Sequence, residues 1–241
     1  ANPSTQEKAR GTMGFFFYEN REGFNFKSMD KLCELIGNAG AENVPNYKYT
    51  GKIIKSANLD NAFKIIDYAF DRNIDMRSAL RFGLYKNLTF LLNTNDNQIT
   101  VYNYDITEEI GKKLGRQEGL SVPADLKEVP SRIIVRATDN GIMSNGGGNE
   151  ETGRSPADRA KSAARYNLLF TQSLNILIPC NVNLKVGDVI NCEFSEMDSG
   201  RSKEPDKEIS GRYLIRELRH HFSPSQNTSS LRLIRDSYGL N

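Results

Sequence analysis

In the C-terminal third of the chain, apolar side chains fall on every second position. Leu174, Ile176 and Ile178 share one side of the stretch 174–179, and Ile190, Cys192 and Phe194 repeat the pattern. A period of two is that of a strand with one buried face; a helix would repeat every three to four residues. Stretches 211–222 and 229–236 read as two further strands, joined by the turn-rich Ser223-Pro224-Ser225-Gln226-Asn227. Ser131 to Ala137 adds a fifth. Ser155 as cap and Pro156 at the first helical position open a helix over 156–170, with Ala160, Ala163, Ala164 and Leu168 as its narrow apolar face. Five strands and one helix predict a small antiparallel barrel or sandwich with the helix laid across it.

The N-terminal half is mixed. Phe15-Phe16-Phe17-Tyr18 and Phe24-Asn25-Phe26-Lys27 flank a short loop ending in Gly23 and read as a hairpin. Ser28 caps a helix carrying Leu32, Leu35 and Ile36. The run 63–70 fits either element by period; we read it as a strand, followed by a helix from about 76 to 82. Stretches 84–92 and 98–104 flank Asn93-Thr94-Asn95-Asp96-Asn97 and form a second hairpin. Gly111, Gly115, Gly119, Pro123 and Pro130 then interrupt any long element, so the boundary falls there. The expected organisation is a mixed α/β unit over 1–125 and a tube-type barrel over 126–241. The fold class is α+β, mainly β. The polar start without Met reads as the edge of a processed or excised piece, with no signal peptide.

Composition removes several function classes. Lys plus Arg number 32 against 30 Asp plus Glu, a net charge of +2, without the basic excess of a dedicated nucleic-acid binder. No window is long and apolar enough to span a membrane. Three cysteines, Cys33, Cys180 and Cys192, lack CxxC spacing and point to a reducing compartment rather than a disulfide framework or zinc ribbon. The two histidines are adjacent, His220 and His221, so on a strand they face opposite sides and cannot share one metal ion. No GxSxG, HExxH, P-loop or GxGxxG is present. No enzyme and no cofactor are expected.

Several tempting features have plainer readings. Gly146-Gly147-Gly148 lacks the lysine and hydroxyl of a phosphate loop and reads as a flexible interface loop. Asp67, Asp71 and Asp75 read as surface carboxylates. Phe15-Phe16-Phe17 reads as core strand rather than an exposed docking patch.

The order of elements over 174–238 resembles the tube-forming domain of contractile-phage tail hub proteins. It runs from Leu174-Asn175-Ile176-Leu177-Ile178-Pro179 through Leu184-Lys185-Val186-Gly187-Asp188-Val189-Ile190 and Ser210-Gly211-Arg212-Tyr213-Leu214-Ile215-Arg216 to Leu231-Arg232-Leu233-Ile234-Arg235. With Gly14 to Ser28 and 82–105 added, the chain resembles the central baseplate hub of T-even-like bacteriophages, lacking most of a first tube-like domain. The resemblance implies a homotrimer in the tail baseplate of the virion, made in the host cytoplasm. It implies a structural adaptor between the hexameric tail tube and a trimeric cell-puncturing spike. The implied partners are other copies of the chain, the spike, the tube protein and surrounding baseplate proteins. DNA would only pass through the lumen, and no membrane insertion is implied. Arg159, Arg165, Arg212, Arg216, Arg219, Arg232 and Arg235 are the candidate lumen or subunit-interface positions. Interleaved Glu217 and Asp236 favour a solvated, ion-paired face over a grip on DNA. Rival readings are a spike-complex hub of a type VI or related injection system, a tail-associated cell-wall hydrolase, and a generic soluble binding module.

Overall fold

The alternating stretches of the C-terminal third are strands in the computed structural model, and the chain is mainly β. The structure describes residues 14–29, 32, 44–49, 62–72, 80–81, 83, 85–94, 97–105, 128–138, 166, 169, 172–195, 206 and 209–235. These contain eleven strands: β1 (Phe15–Asn20), β2 (Gly23–Ser28), β3 (Asn46–Tyr49), β4 (Asp67–Arg72), β5 (Lys86–Asn93), β6 (Ile99–Asp105), β7 (Arg132–Thr138), β8 (Gln172–Pro179), β9 (Val189–Phe194), β10 (Gly211–Phe222) and β11 (Asn227–Arg235). Of the helix expected over 156–170, Tyr166 and Leu169 are described, both helical; the rest lies outside the described residues, as does most of the helix expected from 76 to 82. Two compact units share the chain. One takes Ala1–Gly14, Asp75–Gly111 and Ser121–Asn167; the other takes Phe15–Ile74, Lys112–Leu120 and Leu168–Asn241.

The second unit is built on a six-stranded sheet in the order β3-β9-β10-β11-β8-β4. All neighbours are antiparallel except β3 and β9, which run parallel. The expected antiparallel barrel is therefore a mixed sheet, and two of its strands come from the N-terminal third. The sheet curls into a half-barrel. Its two edges are laced at one end by the residues just before β4. Lys48 N–H donates to the Phe63 carbonyl at 2.9 Å, Ile65 N–H donates to the Lys48 carbonyl at 3.0 Å, and Ile66 N–H donates to the Leu177 carbonyl at 2.7 Å. Lys48, on the β3 edge, thus has both outward ladder groups satisfied by the sheet's own chain. Inside the curl lie Leu174, Ile176, Ile178, Ile190, Cys192, Phe194, Tyr213, Ile215, Leu231 and Leu233, all buried. Aromatic rings help to fill the space between the edges. Tyr68 meets Tyr49 and Phe194 with centroids 4.7 Å away in each case, one edge-on and one tilted, as ring quadrupoles prefer.

The first unit contains the sheet β6-β5-β7. Its hairpin β5–β6 is antiparallel, as expected from the Asn-rich turn. Strand β7 had been expected to join the C-terminal strands, but it runs parallel beside β5 with Leu88↔Ile133, Phe90↔Val135 and Leu92↔Ala137 in register. A period of two declares which face of a strand is apolar, but not which strand it joins. The Ser131 hydroxyl and backbone N–H both donate to the Lys86 carbonyl at 3.0 Å and fix the start of this pairing.

Candidate assembly surface

Strands β10 and β11 carry five of the seven arginines proposed from sequence. The ladder between them is regular up to Ile215↔Leu233 and resumes at Glu217↔Arg232, so Arg216 is the inserted residue of a β-bulge. The bulge has a packing reason. Core positions Tyr213 and Ile215 are followed by Leu218, a spacing of three, and the extra residue brings Leu218 opposite Leu231. Arg216 is thereby turned to solvent, where its Nε lies 3.6 Å from Glu217 Oε1; Arg232 Nη1 lies 3.5 Å from the same oxygen. Arg219 is exposed and Arg212 half-buried. Of the two interleaved acids named from sequence, Glu217 meets Arg216 and Arg232, and Asp236 lies outside the described residues.

Arg235 is a correction. It is completely buried, not a lumen or interface residue. Leu231, Leu233 and Arg235 lie two apart on β11 and so share the core face. The guanidinium is accommodated by hydrogen bonds to two acceptors and by an aromatic face. Its Nε donates to Gln172 Oε1 at 2.7 Å, Nη1 donates to the Ser210 carbonyl at 2.8 Å, and its carbon sits 4.6 Å above the Tyr213 ring. Arg159 and Arg165 lie outside the described residues.

The hairpin β1–β2 docks on the same unit through one face only. Its turn is tight because Gly23 adopts φ +118°, and Asn20 Oδ1 accepts the Glu22 N–H at 2.9 Å. Phe16 and Tyr18 pack inward, towards Leu32, Val186, Gly187, Leu214 and Ile234, and among these residues lies a groove of about 210 Å³. Arg21 donates to the Val182 carbonyl at 2.6 Å, and Lys185 pairs with Glu22. That pairing holds the Glu22 carboxyl below its ordinary range. Gly187 is left-handed at φ +91°, and a Cβ placed there would lie 2.7 Å from Tyr18 Cζ. No side chain fits.

The opposite face of the hairpin overturns the core reading of the phenylalanine run. Phe17, Phe24 and Phe26 are 69%, 73% and 59% exposed. Phe17 stacks on Phe24 at 5.7 Å and Phe15 on Phe26 at 5.0 Å, both nearly parallel, making an aromatic ladder on the solvent side. High β-propensity of aromatics identified the strands without saying which face would be covered. In the first unit, the aliphatic face of β6-β5-β7 is likewise open, with Ile99, Val101, Ile133 and Val135 all exposed. The sheet's other face buries Asn87, Thr89, Leu91 and Tyr104.

His220 Nδ1 lies 2.8 Å from Ser229 Oγ and 3.8 Å from Cys180 Sγ, as expected of a histidine that ties neighbouring strands. Among the described residues no group of three His, Cys, Asp or Glu side chains is placed to hold a metal ion. Burial pushes the Cys192 thiol and the Tyr213 phenol far up, and the Asp188 carboxyl upward.

No protein-family model matches the chain, and no curated protein matches it. Among the solved structures similar to it are two tail proteins. One is the tail protein from Neisseria meningitidis MC58, 12% identical, with a TM-score of 0.39 over 82% of this chain and 46% of that one. The other is the 43 kDa tail protein of prophage MuSo2 from Shewanella oneidensis, 9% identical, with a TM-score of 0.38 over 80% of this chain and 44% of that one. The chain thus spans less than half of either.

The aromatic ladder and the open aliphatic sheet are what sequence reasoning missed. A signal for the ladder was available. Phe24 and Phe26 alternate with Asn25 and Lys27, so β2 had to expose one kind or the other. Which kind depends on the docking of Phe16 and Tyr18 against residues more than 160 positions away.

Proposed function

We propose that this chain is a structural protein of a phage tail, the trimeric baseplate hub that adapts a hexameric tail tube to a trimeric spike. One observation carries the assembly role: each unit leaves an apolar sheet face uncovered, aromatic on the hairpin and aliphatic on β6-β5-β7. Patches of this kind mark surfaces that meet other proteins. The curled sheet adds the frame such a role needs, with a dry interior and ion-paired arginines on β10 and β11. The finer assignment, to the hub of a contractile-tail baseplate in the virion, rests on the order of strand and turn motifs over 174–238. In this reading the function is mechanical rather than catalytic. Three copies make a ring with one side to the tube and the other to the spike. Light scattering after size exclusion, with the chain alone and then mixed with tube and spike proteins of the same phage, tests it. A trimer that co-elutes with both is the expected result. A chain that stays monomeric at all concentrations and binds neither overturns it.

A further inference from the structure

The hairpin β1–β2 holds two features that fit each other but do not meet within one copy. The first is a knob. Phe24 stands beside the turn, 73% exposed, with Glu19 directly across the ladder. The second is a hole. The groove between the hairpin and the curled sheet is lined by Phe16, Phe17 and Tyr18 of β1 with Val186, Leu214 and Ile234, and the bulged Arg216 stands at its margin.

Size and charge both point to the occupant. An apolar cavity of roughly 150 Å³ accepts a benzene ring, and this groove measures about 210 Å³. One phenylalanine ring is the natural filler. The ring arrives with the Glu19 carboxylate beside it, and the groove offers the half-exposed guanidinium of Arg216. Phe24 stays outside its own groove: its ring stacks on Phe17 on the solvent side and is 73% exposed. We infer that the ring of Phe24 from one copy docks in the hairpin groove of the next copy, with Glu19 meeting Arg216 across the contact. Such a contact uses two different patches, so it is head-to-tail and generates a ring when the rotation closes. The inference rests on the trimeric reading above and names the surface that builds it.

Association of the full chain, measured by sedimentation equilibrium, tests the contact. Phe24→Ser removes the knob at an exposed site, and Val186→Trp fills the hole; circular dichroism checks that both fold. Each is expected to weaken association by about 30-fold or more, the effect of losing a buried aromatic anchor. Glu19→Arg and Arg216→Glu are each expected to weaken it about 10-fold, and the double swap to restore it. Mixing Phe24→Ser with Val186→Trp leaves one intact knob and one intact hole, so one-to-one pairs form without closed rings. A wild-type trimer that survives both Phe24→Ser and Val186→Trp overturns this contact and leaves the hub reading standing, with the groove free for another partner. A wild type that never associates overturns this contact, and it removes the hub reading as well when the chain also binds neither tube nor spike.

Discussion

Gly187→Ala is the substitution whose outcome follows most directly from the geometry. Two independent effects oppose it. At φ +91° an alanine sits in left-handed backbone, which disfavours an L side chain by about 1–2 kcal/mol. The new methyl would also lie 2.7 Å from Tyr18 Cζ and 2.9 Å from Cε2, and forced overpacking of this kind adds about 1–3 kcal/mol. The backbone around it has little room to yield. Gly187 N–H donates to the Ile215 carbonyl at 3.0 Å, and Ile215 N–H donates to the Asp188 carbonyl at 2.9 Å. The single variant should therefore lose about 2–5 kcal/mol. At a urea dependence of about 2 kcal/mol per molar, the unfolding midpoint should drop by roughly 1–2.5 M. The second background separates the two effects. In Tyr18→Ala the clash is gone and only the backbone penalty of about 1–2 kcal/mol should remain. The coupling between the two substitutions is then about 1–3 kcal/mol in the direction of mutual rescue. Urea unfolding of the four proteins of this cycle, followed by far-ultraviolet circular dichroism, reads it out. Strict additivity would refute the steric contact between hairpin and turn, and a single-variant loss below about 0.5 kcal/mol would refute both effects.

Three further outcomes are expected. Arg235→Met should destabilise the fold by about 3 kcal/mol or more, because Gln172 Oε1 and the Ser210 carbonyl lose a buried charged donor. Arg235→Lys should recover little of that loss, since an ammonium cannot reproduce the fork or the stacking on Tyr213; chemical denaturation checks both. Maleimide labelling of the native protein with peptide mapping should modify Cys180 well before Cys192, whose thiol is buried and held protonated. Equal labelling would contradict the sealed core. Asp188 holds its proton to higher pH folded than unfolded, chiefly through burial. The native state then binds the extra proton in the window between the two values, so this residue's contribution to stability falls as pH rises through it. Asp188→Asn keeps an oxygen to accept the Lys185 N–H, and its stability relative to wild type should be higher at pH 7 than at pH 4. A difference that does not change with pH would contradict the burial argument.

What was legible in the sequence was the orientation of strands, and what was not was their company. Alternation alone put Leu174, Ile176, Ile178, Ile190, Cys192 and Phe194 inside, and all six are buried. It could not say that β3 and β4 would enter the C-terminal sheet or that β7 would leave it, because backbone ladders are chemically alike and any apolar face will serve. Two finer signals were present in the spacing. The step of three from Ile215 to Leu218 announces a bulge, since an unbroken strand would turn Leu218 away from Leu231. The steps of two from Leu231 to Leu233 to Arg235 place a guanidinium on the core face, and there periodicity outranks charge. The residue type argued for solvent; the register argued for burial; the register prevailed because Gln172, Ser210 and Tyr213 receive the ion. The hairpin shows the reverse case. Its phenylalanines obey the period and are still exposed, since a two-stranded ribbon has two faces and the curled sheet covers one. Seen this way the open faces form a separate class of residue. Packing within the single chain leaves Phe17, Phe24 and Phe26 at the surface, and the proposed contact between copies gives one of them a place, since the same hairpin that leaves them exposed also builds a groove of the size of one ring.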